Sequence, residues 1–259
     1  MPKRILTDEE EEMIGRIYNI TNHSARQIAI AYGLHPQTVT YLLNKRLNIK
    51  PTKTRRINLY YLNNHVFDII DEKSAYWLGF LYADGCVSKG GSLVVNISPV
   101  DREHLYSLKF YLEAKNPIYE FPDKYPNGGI QLNIRDRYLA NRLSELGIVP
   151  RRTEFHRLLN NLPDNMIKHF VRGDFDGDGH RRKLGRTGLL FSGTLDLLEW
   201  IRSTTANQIG TNPNISIRKN GNSLICYRLE YGSKSDYDAI DQWMYGDASV
   251  YLARKRFQK

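Results

Sequence analysis

Two cysteines in 259 residues, Cys86 and Cys226, are too few for a disulfide framework and lack the paired spacing of a zinc site. They are expected to be reduced thiols. No stretch reaches the apolar length of a membrane span, and Met1-Pro2-Lys3-Arg4 runs into Asp8-Glu9-Glu10-Glu11-Glu12 without the apolar core of a signal peptide. The expectation is a soluble, intracellular, cytoplasmic protein. Acids are the scarcer charge, 28 against 37 lysines and arginines, which leaves a formal net charge of +9 and points to a polyanionic partner. No basic amphipathic helix carries an aromatic apolar face, so nucleic acid is favoured over a membrane surface. A hydrophobic content of 41% is enough to build a core, in one large domain or in two to three small ones.

The most informative stretch is Trp77-Leu78-Gly79-Phe80-Leu81-Tyr82-Ala83-Asp84-Gly85, which returns altered as Val171-Arg172-Gly173-Asp174-Phe175-Asp176-Gly177-Asp178-Gly179. Each copy is an apolar helical run with a central glycine, a small residue four positions later and a closing Asp-Gly. Residues four apart share a helix face, so Ala75, Gly79 and Ala83 form one small-residue ridge and Gly173 with Gly177 another. A mid-helix glycine costs roughly 1 kcal/mol relative to alanine, and two at matching places predict close backbone approach of the two helices. Side by side, the helices would deliver Asp84 and Asp178 to one spot. Each aspartate ends a helix whose terminal carbonyls already carry about half a negative charge. Such a pair repels unless a cation lies among them, and hard oxygen ligands on a partly open site favour Mg²⁺. For a single copy the simpler reading is a helix stop, with glycine as a left-handed C-cap. Duplication in a basic chain favours the metal.

Upstream, Thr7-Asp8-Glu9-Glu10 reads as a helix start, with Thr7 as N-cap and Glu10 completing a capping box. Met13, Ile14, Ile17 and Tyr18 fall at helical spacing, and a second helix from about Ser24 carries Ile28, Ala29 and Ala31. Gly33-Leu34-His35-Pro36 breaks it. Pro36 suits the first position of a third helix, with Val39, Leu42 and Leu43 inward and Gln37, Thr38, Tyr41, Asn44 and Lys45 outward. Residues 1–47 thus resemble a helix-turn-helix whose third helix reads the major groove, with Gln37, Thr38, Tyr41 and Lys45 as candidate DNA contacts. A three-helix bundle without DNA is the alternative. Residues 48–70 read as a basic linker; Lys45, Arg46, Lys50, Lys53, Arg55 and Arg56 form an acid-free run, and Lys53, Arg55 and Arg56 are expected to track phosphates. A short strand is expected near His65-Val66-Phe67, then Asp71 as cap of the first motif helix.

Residues 71–160 and 161–259 read as two halves of one plan. The first runs from the motif helix through a hairpin at Gly90-Gly91, a helix marked by Leu105, Leu108 and Leu112, a strand near Ile118 and a strand from Ile130 to Arg135. A helix from Tyr138 to Leu146 closes it. The second half repeats this order with strands at Leu189–Phe191, Ile215–Ile217 and Tyr227–Tyr231, and helices at Leu195–Ile201 and Ile240–Met244. Asp84 matches Asp178 at an offset of 94, Ile97 matches Phe191 at 94 and Ile130 matches Tyr227 at 97, as in a duplicated αββαββ unit. One strand face in each half is polar: Gln131, Asn133 and Arg135 in the first; Arg218, Arg228 and Glu230 in the second. Glutamine, asparagine and arginine pair bidentately with base edges, so Gln131, Asn133, Arg135, Arg218 and Arg228 are candidate base readers. An ordinary solvated sheet face is the alternative.

Both motifs, over about residues 66 to 259, resemble the signature helices of a single-chain LAGLIDADG homing endonuclease. Leu146-Gly147-Ile148-Val149-Pro150-Arg151-Arg152-Thr153 and Tyr251-Leu252-Ala253-Arg254-Lys255 resemble the segments that end each half in that family. The resemblance implies an α+β fold of tandem pseudo-two-fold αββαββα halves with saddle-shaped antiparallel sheets in the major groove; a small all-α helix-turn-helix domain is accessory to it. It further implies Asp84 and Asp178 as catalytic metal ligands, helped by the Ala83 and Gly177 carbonyls, with Arg152 and Lys255 as basic catalytic residues. Arg152 stands where lysine is usual, and only its electrostatic role would survive. The implied cofactor is Mg²⁺, two or more divalent ions, with Ca²⁺ substituting in binding and Mn²⁺ in activity. The implied partner is double-stranded DNA, cut by a monomer at a long asymmetric target.

Two rivals remain at this point. A non-cleaving DNA-binding regulator, or an intron RNA-splicing maturase, would keep the scaffold without catalysis. The opening Asp174-Phe175-Asp176-Gly177-Asp178-Gly179 also fits a calcium-binding EF-hand loop, but position 12 is Gly185 where glutamate is needed, and position 8 is Arg181. Matched against the first motif, Asp176 corresponds to Tyr82 and Asp174 to Phe80. Neither is therefore expected in catalysis.

Overall fold

The computed structural model describes residues 6–20, 23–49, 60–88, 90–122, 128–148, 162–182, 188–220 and 224–256. They fall into two compact units, Met1–Leu59 and Tyr60–Lys259.

The described residues of the first unit form helices: α1 (Asp8–Ile20), α2 (Ala25–Ala31) and α3 (Pro36–Tyr41), the last running into a π-helical turn over Leu42–Arg46. Its starts are chemically explicit. The Glu10 N–H donates to Thr7 Oγ1 at 3.2 Å while the Thr7 N–H donates to Glu10 Oε2 at 3.0 Å. Ser24 and Gln27 form a second capping box, and His35 caps α3 ahead of Pro36 at its first turn. Gly33 takes φ +62° between α2 and α3, a left-handed turn that glycine adopts without steric cost. Ile14, Tyr18, Ile28, Ala29, Val39, Leu42 and Leu43 form the core. Met13 and Ala31, expected inside by spacing, are exposed.

The second unit is α+β. Its first half comprises α4 (Glu72–Asp84), β1 (Gly85–Val87), β2 (Ser92–Ile97), α5 (Arg102–Tyr111), β3 (Ile118–Phe121), β4 (Gly129–Arg135) and α6 (Arg137–Glu145). The second repeats the order as α7 (Ile167–Asp178), β5 (His180–Arg181), β6 (Leu189–Gly193), α8 (Leu195–Ile209), β7 (Asn214–Asn220), β8 (Leu224–Tyr231) and α9 (Lys234–Tyr245), followed by α10 (Ala253–Arg256). Each half carries a four-stranded antiparallel sheet, ordered β1-β2-β4-β3 and β5-β6-β8-β7. Period-two alternation buries Leu93, Val95 and Ile97 of β2 with Ile130, Leu132 and Ile134 of β4; Leu189, Phe191, Leu229 and Tyr231 do the same in the other sheet. The motif helices α4 and α7 are each buried on nearly every side, α4 with apolar side chains throughout its middle and α7 with buried His169, Arg172, Asp174 and Asp176 among its apolar ones.

Two expectations need correction. Residues 65–67 are not a strand: His65 to Asp68 is a turn closed by the Asp68 N–H on the His65 carbonyl at 3.0 Å, with the His65 and Asp68 side chains 2.7 Å apart. Local polar bonds compete with a sheet ladder there, and only Phe67 is buried. The repeat register also differs. Val95 pairs with Leu132 and Phe191 with Leu229, so Phe191 matches Val95 at an offset of 96 rather than Ile97 at 94. The cause is the hairpin, where five residues separate the partners Val87 and Leu93 but seven separate Arg181 and Leu189. Among the described residues, no helix is long and apolar enough to cross a membrane.

Candidate functional site

The two motif helices touch backbone to backbone. A Cβ added to Gly79 would lie 2.0 Å from the Phe170 carbonyl oxygen, and one added to Gly173 would lie 2.0 Å from that of Tyr76. Gly79 corresponds to Gly173 and Tyr76 to Phe170, so the contact is reciprocal, as a pseudo-two-fold axis between α4 and α7 requires. One turn on, a Cβ on Gly177 would meet the Ala83 Cβ at 2.3 Å and Asp84 Oδ2 at 3.2 Å. The small-residue ridges expected from sequence therefore do hold the helices together. The Asp84 carboxylate lies across the pair against the second motif, one residue from Asp178.

Asp84 is partly buried and Asp178 exposed, and both are the last residues of their helices. The glycines that follow are not left-handed caps: Gly85 has φ −90° and Gly179 φ −73°, both extended. Each helix passes directly into a strand. Glycine is needed for room, since a Cβ would meet the Leu81 carbonyl oxygen at 2.6 Å in one case and Phe175 Cδ2 at 2.2 Å in the other. Helical backbone through Asp178 also excludes an EF-hand loop, for which Asp174 and Asp176 would have to face an ion; both are buried.

Cations are built in beside the aspartates. Lys255, 5% exposed, donates from Nζ to the Gly179 carbonyl, the residue after Asp178. Burial and the neighbouring Arg254 pull its ammonium pKa down, while Asp176, Asp101 and Asp178 hold it up. Arg254 forks onto Asp101, with Nε and Nη2 each 2.6 Å from a carboxylate oxygen, tying the C-terminal segment to the start of α5. The Arg254–Asp101 pair, and Arg181 of β5 on the Lys255 carbonyl, had no local sequence signal. The second-motif position matched to Val87 carries Arg181, and that charge in an apolar slot was the available clue.

Beneath the aspartates runs a buried polar chain. Tyr76 donates to Asp176 Oδ2 at 2.7 Å and lies 2.9 Å from His104 Nε2; Tyr245 donates to Asp176 Oδ1 at 2.6 Å, and the Leu252 N–H to Oδ2 at 2.6 Å. Burial pushes the Asp176 carboxyl up to about 6, against the pull of these donors and of Arg172. Arg172, fully buried, donates to the Met244 and Val250 carbonyls and to Glu72. Burial pushes His104 down to about 4; Asp101 opposes this and Arg254 adds to it. A depressed histidine contributes stability that is present above its unfolded pKa and lost as pH falls through the folded value. Unfolding free energy should thus drop by about 3 kcal/mol between pH 6.5 and 4 on this account. Asp176, raised to about 6, acts in the opposite sense over much of that range, so the contrast lies between the two proteins. In urea melts the stability gap between wild type and His104→Gln should shift by about 3 kcal/mol from pH 6.5 to 4, and a constant gap would refute the assignment.

The remaining site candidates fall on the strands, on α3 and the turn after it, or outside the described residues. On β4, Asn133 and Arg135 are exposed and Gln131 partly so, on the face opposite Ile130, Leu132 and Ile134. Register adds residues that were not anticipated: Cys86, Val94 and Asn133 lie in one row across the first sheet, and Asn96, Gln131 and Tyr119 in the next. In the second sheet Arg228 sits between Ser192 and Ser216, and Glu230 between Leu190 and Asn214, ion-paired to Arg182. The Arg218 backbone lies in β7 opposite Cys226. Gln37, Thr38, Tyr41 and Lys45 are exposed on α3 and the turn after it. Arg152, Lys53, Arg55 and Arg56 lie outside the described residues. Among the described residues no cluster of three or more histidine, cysteine, aspartate or glutamate side chains could hold a metal; Asp84 and Asp178 are two carboxylates only.

No known protein-family profile matches the sequence, and no curated protein matches it. Solved structures do. The crystal structure of I-DmoI in complex with DNA and Ca matches at 18% identity over 70% of this chain and 93% of that one, with a TM-score of 0.50. Full-length DUF199/WhiA from Thermatoga maritima matches at 16% identity over 71% of this chain, with a TM-score of 0.49. This chain spans only 60% of that protein's length. The N-terminal LAGLIDADG domain of DUF199/WhiA alone is matched over 89% of its length, at 15% identity and a TM-score of 0.47. At such identities the likeness concerns the fold. The second unit has the two-half LAGLIDADG fold, with two four-stranded antiparallel sheets.

Proposed function

We propose that this protein is a metal-dependent, site-specific double-strand DNA endonuclease of the homing type, acting as a monomer on a long asymmetric target inside the cell. The observation that carries this is the reciprocal glycine contact of α4 and α7, which sets Asp84 against Gly177 and beside Asp178, with the Lys255 ammonium on the next carbonyl. The residues there suit a hard divalent cation such as Mg²⁺. They are carboxylate and terminal helix carbonyl oxygens, including those of Ala83 and Gly177, and the absent Cβ of Gly177 lets Ala83 and the Asp84 carboxylate come up against the second helix. Two carboxylates leave ligand positions for water and for substrate phosphate. When bound, such an ion supplies Lewis acidity to the phosphoryl group and a water of lowered pKa. Asp84 and Asp178 would hold it, and Lys255 would offset charge that develops on the scissile phosphate; Arg152 is assigned the same part in the other half. The structure of I-DmoI with DNA and Ca, the match with a TM-score of 0.50, supports the same reading.

Specificity is assigned to the sheet faces, through Gln131, Asn133, Arg135, Arg218 and Arg228. Because these residues differ between the halves, the target has no dyad. The α2–Gly33–α3 arrangement is assigned as a helix-turn-helix that lengthens the footprint, with Gln37, Thr38, Tyr41 and Lys45 toward DNA and Lys53, Arg55 and Arg56 on phosphates. Incubation with a plasmid library of randomised sites in Mg²⁺ should return linear plasmid at one asymmetric sequence. Sequence-specific binding with intact plasmid would support the non-cleaving regulator or maturase instead.

A further inference from the structure

Asp176 is fully buried inside α7, where the matching residue of α4 is the aromatic Tyr82. A carboxylate in such a place is costly unless donors surround it, and an aromatic serves the same helix position in the other half. What distinguishes Asp176 is the identity of its donors. Two are tyrosine hydroxyls, Tyr76 from α4 and Tyr245 from α9. The third is the backbone N–H of Leu252, three residues before Lys255. The other end of this short segment is fixed by Arg181, whose Nε donates to the Lys255 carbonyl while its Nη1 reaches Tyr237 Oη at 2.8 Å and Nη2 reaches Asp241. Asp176 and Arg181 thus grip the main chain on either side of the Lys255 stem. The Lys255 ammonium reaches the Gly179 carbonyl with the Phe175 ring 5.7 Å beneath it. In the first half the matching positions are Tyr82, which carries a phenol in place of the carboxylate, and Val87, which has no polar side-chain atom.

We propose that Asp176 is a positioning residue for Lys255, acting through the Leu252 N–H, and that it serves the half-site of only one DNA strand. This rests on the endonuclease reading. An aspartate that merely filled space would affect both strands alike, by way of stability. A positioning aspartate instead changes the strand balance, because a displaced charge costs rate only where it acts; misplacement by about 1 Å can cost on the order of 10²-fold.

The test uses the full chain on supercoiled plasmid carrying its selected site, with the two strand cuts timed separately. Asp176→Asn keeps the volume but weakens acceptance from the backbone. It should slow one strand by ~10-fold or more, so that nicked circles accumulate, while the other strand and DNA affinity in Ca²⁺ stay unchanged. Tyr245→Phe, which removes one donor and no charge, should slow the same strand less and provides a milder variant if the first fails to fold. Lys255→Met should slow that strand too, and the Asp176→Asn, Lys255→Met pair should slow it no further than Lys255→Met alone. Equal slowing of both strands, no slowing, or additive losses in the pair would overturn the proposal while leaving the endonuclease reading standing. A wild-type protein that cuts neither strand would overturn both.

Discussion

Asp84→Asn and Asp178→Asn are each expected to abolish double-strand cleavage, with a loss of about 10³-fold or more, while specific DNA binding in Ca²⁺ survives. The magnitude follows from what is removed. A Lewis-acidic ion contributes several kcal/mol to charge stabilisation at a phosphoryl group, and each 1.36 kcal/mol is a factor of ten in rate. Asparagine keeps the shape of the side chain but halves its strong oxygen donors and removes its charge. It leaves the packing of α4 on α7 alone, because the glycine and carbonyl contacts lie one to two turns earlier. Timed gel assays of plasmid cleavage in Mg²⁺, beside binding titrations in Ca²⁺, measure both. Cleavage at the wild-type rate by either variant would refute the assignment of its aspartate. Joint loss of binding and cleavage would assign that aspartate to the fold instead of the chemistry.

Gly79→Ala and Gly173→Ala should be the most damaging single-methyl changes in the protein, each lowering unfolding free energy by about 3 kcal/mol or more. Overpacking a tight site typically costs 1–3 kcal/mol, but here the added carbon would lie 2.0 Å from a backbone carbonyl oxygen, with further backbone atoms at 2.7 to 3.0 Å. Neither a rotamer change nor a yielding side chain can relieve that. The helices themselves must part, taking the buried faces of α4 and α7 with them. The better helix propensity of alanine, roughly 1 kcal/mol, offsets only part of this. Gly90→Ala is the control: the nearest atom to its added carbon is Ser88 Oγ at 3.7 Å, and little change is expected. Urea denaturation of the three variants would show the contrast. A Gly79→Ala protein as stable as Gly90→Ala would mean that the helices are not in backbone contact.

Several elements were readable because their causes are local. Asp71 caps α4 with Ser74, Thr7 pairs with Glu10, and Ser24 with Gln27, all through bonds between residues three apart. The inward sets on β2 and β4 follow from strand alternation, and the small ridges of the motif helices from their four-residue spacing. Other features were invisible for equally definite reasons. A slip of two residues leaves every side chain on its original face, so alternation could not distinguish Ile97 from Val95 as the match to Phe191; only the pairing through Leu132 and Leu229 does. Asp-Gly at a helix end predicts a left-handed cap, yet both glycines are extended because a strand begins at once.

The sequence by itself determined the two-half α+β plan, the helix pair and the two aspartates that end it, since periodicity, capping chemistry and internal repetition are properties of neighbouring residues. Tertiary structure decided what surrounds those aspartates. Asp176 is polar by composition yet lies in the core, held by Tyr76, Tyr245 and Leu252 from three separate elements, and Lys255 reaches the Gly179 carbonyl from 76 residues away in sequence. Burial of a charge and the partners that make it tolerable depend on segments that meet only when the chain is folded, and no local pattern records that meeting.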